Sequence, residues 1–290
     1  MKFSPVVASL LLIACGGSTP ATPVSDAGPA DSTADTAPRG DAASDGSGGD
    51  AGVDPSGPPS LFAFSAFNDG TASATAGFFA SAHTYNCPVQ IVGACLVYAT
   101  CSGGLKYTTT PVDPGALTVG GGAPAVSLPL NKKQDVFATT GSVTNAGKSF
   151  KAGDTVTFTG AGGVVPAFQE TLAYPGLPSI LTPPSGATID PTTDAPMTFA
   201  DAVGVDELLV AATGPSASAI CYFHVTGAAG SVSIPASALA KLGTGSGNLS
   251  VTAQATKLVT EGTFPTTFYA GSLALNAAKT GIYLATVTFK

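Results

Sequence analysis

The feature that most constrains this fold is a two-residue alternation that recurs in short runs from about residue 61 onward. In Asp154-Thr-Val-Thr-Phe-Thr159, Val156 and Phe158 alternate with threonines. In Asn248-Leu-Ser-Val-Thr-Ala253, Leu249, Val251 and Ala253 alternate with Ser250 and Thr252. Tyr283, Ala285, Val287 and Phe289 alternate with Ile282, Leu284, Thr286 and Thr288. The same pattern sets Cys95, Val97, Ala99 and Cys101 on one face, and Cys221, Phe223 and Val225 opposite Ile220, Tyr222 and His224. A period of two sends successive side chains to opposite faces of a strand. Many such runs, each ended by Gly or Pro, predict an all-β body of one or two antiparallel β-sandwich domains. Only 235–243 reads as helical. Pro235 stands at its start, Leu239 and Leu242 are three apart, and Gly243 follows the end, which predicts a short helix near 235–242.

A break is expected near 175–185, where Tyr174-Pro-Gly-Leu-Pro-Ser-Ile-Leu-Thr-Pro-Pro-Ser-Gly186 concentrates prolines and glycines. It divides the body into 61–177 and 178–290, each near the size of a two-sheet sandwich. The second part resembles immunoglobulin-like and fibronectin type III modules in its Pro-rich entry and evenly spaced strands. The chain has no Trp, so the buried Trp of that superfamily is absent, and Phe199 is expected to take its place in the core.

The first fifteen residues carry a second pattern. Lys2 is followed by an apolar stretch from Phe3 to Ala14. A membrane-spanning helix needs about 20 residues, whereas a secretory apolar region needs about 7–15. Length therefore favours a signal peptide over 1–14. The stretch ends in Leu12-Ile13-Ala14-Cys15 followed by Gly16, which resembles the lipobox of bacterial lipoproteins. That resemblance implies cleavage before Cys15, a thioether-linked diacylglycerol on its sulfur and acylation of the new amino group. Two or more acyl chains hold a protein stably on a membrane, where one does so only marginally. Gly16, standing where a retention signal would place Asp, implies the outer membrane of the cell envelope.

Residues 16–60 are Ala, Asp, Gly, Pro, Ser and Thr almost throughout, with seven Asp against Arg39 alone. Such a segment buries too little apolar surface to offset the entropy of ordering it. With lipidated Cys15 it is read as a disordered tether over 15–60, with a reach of roughly 35–40 Å. The body from Leu61 holds nine Lys, no Arg and eleven acids, a net charge of −2. That balance gives no electrostatic footprint for nucleic acid or for docking on anionic lipid. The expected partners are the membrane, through the anchor, and an envelope protein or surface ligand.

Cys87, Cys95, Cys101 and Cys221 remain, an even number in an exported chain, and are disulfide candidates. A straight strand over 95–101 holds its ends roughly 20 Å apart at about 3.3 Å per residue. A disulfide needs Cα atoms within about 7 Å. Cys87 is then expected to pair with Cys95 or Cys101, and the cysteine left over to pair with Cys221, stapling the two parts together.

No catalytic or cofactor motif stands out. There is no Gly-x-Ser-x-Gly elbow and no His-Glu-x-x-His. His83 reads as a loop residue and His224 as an outward strand residue. Asp206 and Glu207 are adjacent on a strand, so they face opposite ways and make a poor acid–base pair. Asp190 and Asp194 suit turn capping or a shared calcium ion. Gly120-Gly121-Gly122 and Asn68-Asp-Gly70 read as turns. The expectation is a non-enzymatic structural, adhesion or binding protein, with no cofactor, metal or catalytic residue. The alternative is an exported hydrolase, which would need a pocket holding His83 or His224 beside a carboxylate.

Overall fold

The structure, a computed structural model, describes residues 60–290 apart from 68–69, 81–83, 86–88, 100–106, 109, 134–135, 140–142, 144 and 281–282. The signal-like run, Cys15, the tether, His83, Cys87 and Cys101 lie outside the described residues. Among those described, no helix is long and apolar enough to cross a membrane.

The fold is all-β. Its first part runs Ser60–Ala66 (β1), Ala72–Gly77 (β2), Thr84–Tyr85 (β3), Val89–Val92 (β4), Cys95–Ala99 (β5), Tyr107–Thr108 (β6), Leu117–Gly121 (β7), Val126–Lys133 (β8), Val136–Ala138 (β9), Thr155–Gly160 (β10) and Phe168–Ala173 (β11). A short 3-10 turn, Ala146–Ser149, precedes β10. The second part runs Ser179–Thr182 (β12), Thr188–Ile189 (β13), Ala195–Ala200 (β14), Glu207–Thr213 (β15), Ala217–His224 (β16) and Gly230–Ile234 (β17). Helix Ala236–Leu242 (α1) follows, then Gly245–Glu261 (β18), Phe264–Leu273 (β19), Leu275–Asn276 (β20) and Leu284–Phe289 (β21). The expected helix is α1, with Leu239 and Leu242 buried and Gly243 ending it at φ +81°. Its first turn is capped from a distance: Ala236 N–H donates to Asp194 Oδ1 at 2.8 Å.

Most strand pairs are antiparallel, but β1–β19, β12–β20 and β13–β21 are parallel. The principal sheet joins fifteen strands in the path β11-β10-β7-β8-β9-β2-β1-β19-β18-β15-β16-β5-β4, with β21 and β13 beside β18. A second sheet, β17-β14-β12-β20, lies over one end of it. Between them Ile180, Met197, Phe199 and Ile234 of the small sheet and Leu239 and Leu242 of α1 meet Leu208, Val210, Cys221, Val251, Val287 and Phe289 of the large one. Phe199 is in this core, and the alternating run at the chain end turns Tyr283, Ala285, Val287 and Phe289 inward while Leu284 stays exposed.

At its other end the large sheet curls, so that β11 comes back against β18 and β19. The space enclosed is filled by phenylalanine. Phe62 lies within 6.4 Å, centroid to centroid, of Phe78, Phe158, Phe168 and Phe268. Val119, Leu128, Val156 and Phe64 complete this core, the first in chain order. Several of these ring pairs are edge-to-face, the arrangement that the ring quadrupole favours.

The two cores lie on either side of the expected break at 177/178, and the chain crosses between them twice. Strands β4 and β5, from the first part, pair with each other and with β16, and they place Cys95 and Val97 in the second core. The β18–β19 hairpin runs the other way and places Phe268 and Ala270 in the first core. Strand β18 spans both: β21 and β15 pair with its first half, β19 with its second. At the crossing both faces of β18 are buried, including Thr252 and Gln254.

Candidate functional site

Cys95 and Cys221 are bonded. They stand opposite each other in the β5–β16 ladder, and both are fully buried. Cys221 is thus bonded to a cysteine of the first part, as the strand argument required of the one left over. Cys87 and Cys101, and Cys15, the expected lipid site, fall outside the described residues.

Ladder register brings His224 beside a carboxylate. Glu207 on β15 is the direct cross-strand partner of His224 on β16, and on its other side it faces Gln254 of β18. Gln254 Nε2 donates to Glu207 Oε2 at 3.2 Å. Asp206, one residue before β15, accepts from Thr256 N–H at 2.9 Å. Asp206 lies just before β15, so the two acids have different partners, and the juxtaposition that forms is Glu207 with His224. His224 itself is exposed. Among the described residues no group of three His, Cys, Asp or Glu is placed to hold a metal ion.

Burial raises the Glu207 carboxyl above its ordinary 4.5; the Gln254 hydrogen bond and the charge of His224 pull it down, and Asp206 pushes it up. The folded-state pKa therefore lies above the unfolded one. Stability from this group is full below about the unfolded value and is lost as pH rises through the raised value. Glu207→Gln removes that loss. Its melting temperature relative to the native protein is expected to rise between pH 4.5 and neutrality. Parallel melting profiles for the two proteins over that range would contradict the assignment.

The remaining acids have structural work. Asp190 Oδ1 accepts from the Thr192 hydroxyl and backbone N–H at 2.6 and 2.8 Å, and the hydroxyl contact chiefly lowers its pKa. With Asp194 on the α1 cap, both members of the suggested calcium pair serve as turn and helix caps. Glu170 of β11 pairs with Lys257 of β18 at 2.5 Å, bridging the seam where the curled sheet meets itself. Glu261 lies near this pair; burial and the charge of Glu170 raise its pKa, and its Oε1 has no hydrogen-bond partner among the described residues. The glycines at 120–122 lie in the β7–β8 hairpin, and β1 and β2 pair around Gly70, at φ +85°.

A cavity lies elsewhere, lined by residues of the first part next to its end at 177. It has a volume of about 310 Å³ and is formed by three separate segments: Phe67 and Gly70; Gly147, Lys148 and Phe150 to Ala152; and Tyr174 to Leu177. Phe150 and Tyr174 are buried ring neighbours 5.8 Å apart, and Phe64 backs Phe150 at 4.6 Å. Gly147 allows the wall to close: its N–H donates to Gly70 O at 3.0 Å, and a Cβ there would fall 2.2 Å from Thr71 O. Lys148 and Lys151 stand exposed at the mouth. No sequence motif marks this cleft, because its segments are joined only by the fold.

A comparison with protein families, with curated proteins and with solved structures finds no match to this chain.

Proposed function

We propose that this chain is an exported lipoprotein, held in the cell envelope at the outer membrane by acyl chains on Cys15, with a structural, adhesion or binding role and no catalytic chemistry of its own. The observation that supports it most is the buried Cys95–Cys221 disulfide. Disulfides form and persist in oxidising compartments outside the cytosol, which is where the signal-like run leads. The Asp-rich segment after Cys15 then acts as the spacer that lifts the β body from the membrane. Two facing sheets with Phe199 between them support an immunoglobulin-like reading of 178–290.

One observation favours a second reading, an exported hydrolase: Glu207 beside His224. Against it, the Glu207 hydrogen bond comes from Gln254, and the cavity lined by Phe150 and Tyr174 contains neither residue. Cells fed radiolabelled palmitate are expected to label the native chain and not Cys15→Ser; label that survives this substitution would contradict the anchor. A fluorophosphonate probe is expected to leave the purified protein unmodified. Labelling that disappears in His224→Ala would establish the hydrolase reading instead.

A further inference from the structure

We infer that the cleft lined by Phe150, Tyr174, Lys148 and Lys151 is a binding site for a small amphipathic organic anion: an apolar ring or short chain ending in a carboxylate-like head. This inference is independent of the lipid anchor and rests on three features of the cleft.

The first is the division of its lining. Phe150, Tyr174, Pro175 and Gly176 are buried, while Lys148 and Lys151 are exposed at the mouth. The Tyr174 hydroxyl donates inward to Ala66 O at 3.3 Å, so the ring presents an apolar face to the cavity. Sites that take small organic ligands have this composition, mostly apolar walls with a few polar groups that fix orientation.

The second is charge. The body has nine lysines spread over 230 residues, yet two line this cleft, and among the described residues no acid does. The ion pairs among the described residues engage Lys257 and Lys279, not Lys148 or Lys151. The nearby Asp154 carboxylate accepts the Lys151 backbone N–H at 2.8 Å. Among the described residues, neither ammonium group is engaged in an ion pair. Gly70 helps to place one of them: a Cβ at that position would fall 2.5 Å from Lys148 Cε, so its absence lets the lysine stem lie along the rim.

The third is size and rigidity. At about 310 Å³, the cavity is at the small end of ligand sites, roughly 300–1,000 Å³. It suits one ring with a short chain. Its aromatic wall is held from behind by Phe64 and its glycine wall by a backbone hydrogen bond. The site is thus formed before the ligand arrives, which lowers the ordering cost of binding.

The test is calorimetric titration of the full chain in a non-ionic detergent with 4-phenylbutyrate, using a micelle-only blank. Saturable one-to-one binding with a Kd below about 1 mM is expected, in keeping with a ligand of this size. Lys148→Gln/Lys151→Gln is expected to weaken it at least tenfold with unchanged circular dichroism, since both lysines are exposed. High salt is expected to weaken it as well. The neutral 4-phenylbutanol, which lacks the head, and inorganic phosphate, which lacks the apolar body, are each expected to bind at least tenfold more weakly. No saturable binding, equal affinity in the double variant, or equal affinity for either control would overturn the proposal.

Discussion

Phe268→Ala is expected to destabilise the protein by about 3–5 kcal/mol, the usual cost of removing a buried phenylalanine ring. For a body of this size, at about 2–4 °C per kcal/mol, that is a fall in Tm of roughly 6–20 °C. Phe268 is fully buried and touches Phe62, Phe158 and Phe168 at centroid distances of 6.2, 5.5 and 5.6 Å. It comes from β19, late in the chain, yet it fills the core built mainly by residues before 175. Its loss leaves a cavity between rings that the surrounding strands cannot close, because those strands are fixed in their ladders. Leu258→Ala serves as the control. Leu258 is 63% exposed, and its removal is expected to change stability by no more than about 0.5 kcal/mol. Thermal and urea unfolding followed by circular dichroism would measure both. A Phe268→Ala loss below about 1 kcal/mol would mean that β19 does not belong to the first core.

Removing the disulfide is the second large effect. Cys95 and Cys221 are separated by 126 residues in sequence, so the bond closes a long loop in the unfolded chain. The chain-entropy estimate for such a loop is about 5 kcal/mol, and losses measured for native disulfides are about 2–5 kcal/mol. Cys95→Ala/Cys221→Ala is expected to fall in that range, with the same circular dichroism spectrum when folded. Both residues are inaccessible in the native state. Under mild reducing conditions the folded protein is therefore expected to keep this bond, and to lose it only when denaturant is added. A double variant as stable as the parent would contradict this account.

Much of the fold was legible because period-two alternation reports which face of a strand is buried. Val156 and Phe158, or Ala285, Val287 and Phe289, are buried as their alternation requires. The α1 helix was legible from its terminal Pro and Gly and its leucine spacing. Alternation does not name a partner strand. The parallel β1–β19 ladder joins segments about two hundred residues apart, and nothing local in Leu61-Phe62-Ala63-Phe64 specifies it. The reach of β18 was equally hidden. Its alternation is clear to Ala253, but at the crossing Thr252 and Gln254 are buried too, and beyond it Leu258 faces solvent. A strand that passes between two cores buries both faces in turn, which erases the signal.

The site followed the same division. His224 and Glu207 could be assigned to strands from sequence, and both lie on strands. That Glu207 meets His224 depends on the β15–β16 register, which alternation leaves open by any even shift. The cleft combines Phe67, Lys148, Lys151 and Tyr174, residues that share no motif and no element. Only the closure of the curled sheet brings them together.

The central claim is an exported body, stapled by disulfides and held by lipid at Cys15. The measurement that tests it most directly is the intact mass of the protein purified from the cell envelope, before and after alkylation under denaturing, non-reducing conditions. The account predicts a mature chain beginning at Cys15, heavier by a diacylglyceryl group and an acyl chain, with no thiol available to the alkylating agent. A chain that begins at Met1 with an unmodified Cys15, or one in which Cys95 and Cys221 alkylate freely, would contradict it.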